Sequence, residues 1–99
     1  MSKRYVLATD VLTAAQEIEL RKKIGTGGYW HWLPNFWLLK FSDPSVNAEK
    51  IRDWVKEIAP TARSWVSEVE PVAPWAGSFK PDAQGRDMGA WMTSDWESN

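Results

Sequence analysis

The segment from Tyr29 to Phe41 restricts the fold of this chain more than any other feature. The pair Pro34-Asn35 predicts a tight turn, because proline presets φ at the second turn position and asparagine tolerates the third. Residues 29–33 and 36–41 then form the two strands of a hairpin. Alternate residues of a strand point to opposite faces, and here neither face of the hairpin is polar. A sheet built on this hairpin must therefore be covered on both sides.

The rest of the chain supplies two more strands and two helices. A continuous apolar run predicts a first strand, a capping box formed by Thr13 and Gln16 predicts a first helix, and an i, i+3, i+4, i+7 stripe predicts a second helix. The predicted spans are a strand over Lys3–Thr9, a helix over Ala14–Ile24, a helix from Asn47 or Ala48 to Ile58, and a strand over Arg63–Val69.

The order strand, helix, hairpin, helix, strand predicts an α+β fold of the βαββαβ, ferredoxin-like type. In this fold a four-stranded antiparallel sheet carries both helices on one face. We expect residues 1–79 to form this domain. Residues 80–99, which are rich in Gly, Asp, Ser and Asn, are predicted to be a flexible or partner-docking tail.

Two helices can cover only one face of the sheet, and the second face is aromatic too. The chain has eight tryptophans among 99 residues, which is more than a core of this size easily buries. A large exposed apolar face usually marks an interaction site, so we expect a homodimer. In the alternative, the tail folds back on the face in a monomer through Trp75, Phe79, Trp91 or Trp96.

Composition excludes several classes of protein. There is no cysteine and only one histidine, which excludes disulfides, thiolate metal sites and a multi-histidine zinc site within one chain. The net charge of −1 gives no overall basic field for capturing nucleic acid, although a local patch could still bind it. No apolar run has the length of a membrane span or of a signal peptide, so a cytoplasmic protein without a membrane partner is expected.

Three parts of the chain resemble a known family. They are the first strand ending in Asp10, the segment Trp30-His31-Trp32-Leu33-Pro34-Asn35-Phe36-Trp37-Leu38-Leu39-Lys40, and Trp75-Ala76-Gly77. Over about residues 4–79 the chain looks like the small SinR-like proteins, which are similar to the CRISPR-associated integration-partner (Cas-two-like) protein and to VapD toxins. The resemblance implies a ferredoxin-like dimer in a nucleic-acid context, and in some members a metal-dependent nuclease.

Two residues are candidates for catalysis. In the resembling nucleases the aspartate that matches Asp10 faces its twin across the dimer axis and helps to hold a divalent ion, here Mg²⁺ or Mn²⁺, which activates water. Asp10 could instead cap the first helix or its approach turn. His31 could act as a general base, or it could be a half-buried strand residue with one structural hydrogen bond.

The candidate binding residues are aromatic or basic. Lys40 could bind a phosphate or could be a solvated lysine that protects a strand edge. The tryptophans could stack on nucleic-acid bases or could form the apolar core of a dimer interface. This set consists of Trp30, Trp32, Trp37, Lys40 and Trp75.

Three functions remain open at this point. The first is a dimeric nucleic-acid-associated protein with weak metal-dependent nuclease activity. The second is a non-catalytic adaptor or inhibitor, of the phage or mobile-element type, whose aromatic tail docks on another protein. The third is a dimeric α/β-barrel protein that binds a small molecule on its aromatic face, with His31 as the polar anchor.

Overall fold

The computed structural model describes residues 2–25, 27–70, 74, 76–78 and 88–97. These residues form four strands, two main helices and a short helical segment near the end of the chain, which confirms the predicted α+β class. No helix in this part of the chain is long and apolar enough to cross a membrane. The elements are β1 (Lys3–Thr9), α1 (Ala14–Ile24), β2 (Gly28–Leu33), β3 (Phe36–Phe41), α2 (Ala48–Ile58), β4 (Ser64–Val69) and α3 (Met88–Trp91), which continues into a π-helical turn (Met92–Trp96).

The four strands form one antiparallel sheet in the order β2-β3-β1-β4. The tight turn at Pro34-Asn35 places β2 and β3 side by side. Their pairing has a register shift between Trp30 and Leu33. The central strand β1 pairs with β3 on one side and with β4 on the other. Strands β2 and β4 are therefore the two edges of the sheet.

Local sequence signals explain where the helices begin. At α1, Thr13 Oγ1 accepts from the Gln16 backbone N–H, and the Gln16 side chain accepts from the Thr13 N–H, so both halves of the predicted capping box are present. At α2, the Asn47 side chain accepts from the Lys50 N–H. Such caps stabilise a helix by about 1 kcal/mol each. Helix α1 ends at Gly25, whose φ of +61° suits a residue without a Cβ.

Both main helices pack on the same face of the sheet, which we call the helix face. Apolar residues from α1, α2, β1 and β3 meet there and exclude water. Each of these side chains stabilises the fold by roughly 1.5–3 kcal/mol when it is fully buried. The buried members of this core are Tyr5, Leu7, Leu12, Leu20, Ile24, Trp37, Leu39, Phe41, Val46, Ile51, Val55 and Ala59.

The opposite face, which we call the open face, carries a second apolar cluster. Its cover is the segment Met88–Trp96, which we call the C-terminal helix. Met92 and Trp96 of this helix are buried against Trp30 and Leu38 of the sheet. The structure therefore matches the alternative in which the end of the chain folds back. The expectation of a dimer through the open face assumed that this face is uncovered, whereas the C-terminal helix packs on it.

The C-terminal helix lies within residues 80–99, for which a flexible or partner-docking tail was expected; residues 80–87, 98 and 99 lie outside the described part of the chain. Met88–Trp96 is helical because its apolar side chains find an apolar partner surface on the same chain. Of the aromatic residues expected to fold back, Trp91 and Trp96 contribute to this cover. Trp75 and Phe79 lie outside the described residues.

Candidate functional site

Asp10 connects the end of β1 with the beginning of β4. Its Oδ2 accepts from the Arg63 backbone N–H at 2.8 Å, and its Oδ1 accepts from Arg63 Nη2 at 2.9 Å. Arg63 Nε lies within 3.2 Å of both carboxylate oxygens. The N-cap of α1 is Thr13, so Asp10 does not cap this helix. Asp10 instead joins the end of β1 to Arg63, the residue before β4.

This pairing decides what the Asp10 carboxylate can do. The hydrogen bonds from the Arg63 side chain and backbone lower the pKa of Asp10, so the carboxylate is ionised. A guanidinium on both oxygens occupies the positions that a divalent cation would need, and it repels such an ion. Within the described ranges, no group of three His, Cys, Asp or Glu side chains is placed to hold a metal ion. Within the single chain Asp10 pairs with Arg63, and the Mg²⁺ or Mn²⁺ site that the resemblance implied between two copies of Asp10 stays a prediction.

His31 is held on the helix face by two acceptors and a stacked ring. Its Nε2 lies 3.0 Å from Glu17 Oε2, and its Nδ1 lies 3.1 Å from the Phe36 carbonyl oxygen. The imidazole stacks on Trp37, with ring centroids 3.5 Å apart and planes 6° from parallel. Each ring nitrogen thus lies within hydrogen-bond distance of an oxygen of the same chain, which supports the structural alternative for His31.

The candidate tryptophans do not share one surface. Trp30 lies on the open face beneath the C-terminal helix and is buried. Trp37 is fully buried on the helix face. Each therefore packs in a core rather than presenting its ring to a ligand. The side chain of Trp32 and all of Trp75 lie outside the described part of the chain, so their predicted binding role stays a prediction.

Lys40 and Arg4 hold the end of the C-terminal helix. They lie opposite each other on β3 and β1, an arrangement in which like charges repel. Arg4 Nε donates to the Trp96 carbonyl oxygen at 2.6 Å, and Lys40 Nζ donates to the Asp95 carbonyl oxygen. The last carbonyl groups of a helix lack partners within the helix, so two cations are well placed there. Burial, followed by the charge of Arg4, lowers the pKa of Lys40, while Asp95 acts in the opposite direction.

Lys40 also borders a cleft of about 430 Å³ at one end of the sheet. The cleft lies where the end of α1, the start of β2, the end of β3 and the start of α2 meet the C-terminal helix. Its rim carries three lysines, namely Lys23, Lys40 and Lys50, and its walls include the aromatic rings of Phe41, Trp54 and Trp91.

Close packing between backbone and aromatic rings builds one wall of this cleft. A Cβ on Gly27 would lie 2.6 Å from a ring carbon of Phe41, so only glycine fits at this position. The Phe41 ring in turn meets Trp54 edge-on, with centroids 5.8 Å apart. A Cβ on Gly28 would lie 3.8 Å from the Trp91 ring, so the C-terminal helix passes directly over this glycine. The C-terminal helix therefore contributes part of the cleft lining, namely Trp91 and Asp95.

The charges around the cleft favour an anion. Its lining has three lysines against two aspartates, Asp43 and Asp95. The Asp43 carboxylate accepts from the backbone N–H and hydroxyl of Ser45, which lower its pKa and direct one of its oxygens towards the loop. Lys23 Nζ lies 3.3 Å from Glu57 Oε2, so this lysine is paired with a carboxylate. Lys50 extends from the first turn of α2 and is exposed. An anion in the cleft would meet lysine side chains beside the half-buried rings of Trp54 and Trp91.

Sequence reasoning identified one residue of this cleft as a site residue, Lys40. Lys23 belongs to the basic run Arg21-Lys22-Lys23 in the last turn of α1, and most such runs are solvated helix ends that complement the helix dipole. Lys50 and Trp54 come together with Trp91 only through the folded chain. The sequence signal that could have revealed this cleft is the presence of two tryptophans, Trp91 and Trp96, in an otherwise polar tail.

Comparisons with protein families, with curated proteins and with solved structures found no match for the chain.

Proposed function

We propose that the protein is a small ferredoxin-like binding protein that takes a short segment of single-stranded nucleic acid in the lysine-rimmed cleft. The strand order β2-β3-β1-β4 with both main helices on one face supports the ferredoxin-like assignment. The observation that carries the function is the combination of three lysines with aromatic rings around one cleft. Single-strand binders use this combination, because cations contact the phosphates and aromatic rings stack on bases.

The size of the cleft limits the segment to one or two nucleotides. A volume of about 430 Å³ falls within the range of small-ligand sites. The overall charge of −1 means that attraction comes from the cleft lysines and not from the molecule as a whole. We therefore expect weak binding that falls steeply as salt is added.

The other functions have less support. The nuclease hypothesis depends on Asp10, whose two oxygens accept from Arg63. The adaptor hypothesis needs a free tail, whereas the C-terminal helix packs on the sheet of its own chain. The small-molecule hypothesis needs an uncovered aromatic face and a free His31, and both are engaged within the chain. Metal-dependent cleavage stays a prediction, which Asp10→Ala tests with Mg²⁺ or Mn²⁺ and RNA or DNA.

Binding can be measured by fluorescence anisotropy of a labelled single-stranded oligonucleotide over a series of salt concentrations. Contact of two or three lysines with phosphates predicts a slope of log affinity against log salt of about −1.4 to −2.1, at roughly −0.7 per contact. The variant Lys50→Glu places a negative charge on the rim, and we expect it to weaken binding by about tenfold, or ~1.4 kcal/mol.

The matched control is Lys56→Glu, which makes the same charge change in the last turn of the same helix, away from the cleft. We expect the control to bind nearly as well as the unaltered protein. If both variants lose affinity equally, the interaction follows net charge and the cleft is not the site. If the unaltered protein does not bind the oligonucleotide at low salt, the proposed function is wrong.

A further inference from the structure

In the part of the chain that the structure describes, β4 is an edge strand with little of the usual protection. Within the described residues its only strand neighbour is β1. Natural edges are usually blunted by proline, lysine or a bulge, and the sequence Ser64-Trp65-Val66-Ser67-Glu68-Val69 has none of these. Trp65 lies on this edge with 62% of its surface exposed, although tryptophan is usually buried in a fold or an interface. The other edge strand, β2, has a register shift that interrupts regular pairing.

The hydrogen-bond alternation of β4 shows which backbone groups face outward. The Asp10 N–H donates to the Arg63 carbonyl oxygen at 3.0 Å, so Arg63 forms backbone hydrogen bonds towards β1. Because this direction alternates along an antiparallel strand, residues 65, 67 and 69 also form backbone hydrogen bonds with β1. The backbone groups of the intervening residues, Ser64, Val66 and Glu68, therefore point away from the sheet. These three residues are symmetric about Val66. A second β4 running antiparallel can pair with all of them when Val66 lies on the twofold axis.

We propose that β4 is a homodimer interface in which two copies pair antiparallel about Val66 and form a continuous eight-stranded sheet. In this register Val66 lies opposite its twin, and Ser64 of each copy lies opposite Glu68 of the other. The two Trp65 rings come into diagonal contact on the open face, where aromatic side chains can reach each other across about 7–8 Å. This contact explains why an exposed tryptophan lies on an edge strand.

A groove runs beside this edge, between β4 and α2. It is lined by Ala48, Glu49, Arg52, Ser64, Trp65 and Val66. In the proposed register Glu68 of the second copy lies opposite Ser64, on the side of the sheet that carries this groove. The Arg52 guanidinium in the groove lies 2.8 Å from Asp53 and 3.7 Å from Glu49 of its own chain, so the pairing rests on the backbone groups of β4 and on Trp65. This inference is independent of the lysine-rimmed cleft, which lies at the end of the sheet away from the start of β4.

The absence of cysteine from the chain makes a crosslinking test specific. In Val66→Cys, the two introduced residues face each other across the axis with Cα atoms about 5.5 Å apart, within the range that a disulfide needs. In the control Ser67→Cys, the introduced residues lie diagonally at about 7–8 Å, which is too far. We expect mild oxidation to convert the first variant to a covalent dimer and to leave the second largely monomeric. Equal crosslinking of the two variants, or none in Val66→Cys, would overturn the proposal.

Charge variants at Ser64 test the register without a core substitution. Ser64→Lys places a cation opposite Glu68 of the other copy, and Ser64→Glu places an anion there. Light scattering of the two variants and the unaltered protein measures the dimer fraction as a function of concentration. We expect Ser64→Lys to raise this fraction and Ser64→Glu to lower it severalfold. Identical behaviour of the two variants, or an unaltered protein that stays monomeric at millimolar concentration, would overturn the interface.

Discussion

Substitution of Trp96 by alanine tests whether the C-terminal helix is part of the folded domain. The Trp96 indole is 6% exposed and packs against Trp30 and Leu38. A buried tryptophan removes roughly 150–250 Å² from water, and its truncation to alanine costs about 3–5 kcal/mol. The substitution keeps the Trp96 carbonyl group, which accepts from Arg4. It therefore isolates the contribution of the side chain from that of the helix end.

We expect the lower part of this range, about 3 kcal/mol, because the short helix can undock without global unfolding and thereby limits the loss. For a domain of this size 1 kcal/mol shifts Tm by about 4–8 °C, so Tm should fall by about 12–24 °C. Thermal unfolding followed by far-ultraviolet circular dichroism measures this shift without depending on tryptophan emission.

The control is Trp65→Ala, which makes the same change at a tryptophan that is 62% exposed. In dilute solution, where edge pairing is absent, it should change stability by less than about 1 kcal/mol. Equal Tm values for Trp96→Ala and Trp65→Ala would show that the C-terminal helix does not cover the open face. The same result would remove one wall of the proposed cleft.

Two further outcomes follow from local geometry. Gly27→Ala should destabilise the protein by about 1–3 kcal/mol in urea unfolding, because its Cβ would lie 2.6 Å from the Phe41 ring. Gly28→Ala, whose Cβ would meet neighbours at 3.7 and 3.8 Å, is the matched control and should be nearly neutral; the reverse order would contradict the packing of this wall. Since Arg63 lowers the pKa of Asp10 below its ordinary value of 3.8, this carboxylate stabilises the fold above that pH, and the stabilisation is lost as pH falls through the folded-state pKa. The urea stability of the unaltered protein should therefore fall more than that of Asp10→Asn below about pH 4, whereas parallel pH profiles would show that the pair contributes nothing.

The sequence predicted the local elements closely because their signals are local. The predicted spans of β1, α1 and β3 agree with the structure, and those of β2, α2 and β4 agree to within one residue. The capping box of Thr13 and Gln16 and the turn at Pro34-Asn35 each act within four residues of chain. The stripe in α2 that includes Ile51 and Val55 also shows which side of the helix is buried.

The candidate site depended on contacts that no local pattern encodes. Asp10 and Arg63 are 53 residues apart, and Arg4 meets the carbonyl of Trp96 across 92 residues. Nothing near Asp10 in the sequence shows that its carboxylate will contact the guanidinium of Arg63. Nothing near Lys40 shows that it will contact the end of a distant helix.

Binary patterning alone determined that the sheet would need a cover on each face. Only the tertiary structure decided what the second cover is, because the helical spacing of Met92 and Trp96 extends over a short segment whose other residues, such as Thr93 and Ser94, have a weak helix preference. Their helix forms because the apolar surface of Trp30 and Leu38 is available to bury them, and burial of side chains outweighs a weak local preference. The same docking brings Trp91 to the lysine-rimmed cleft. The candidate site therefore forms only when several distant segments of the chain pack together.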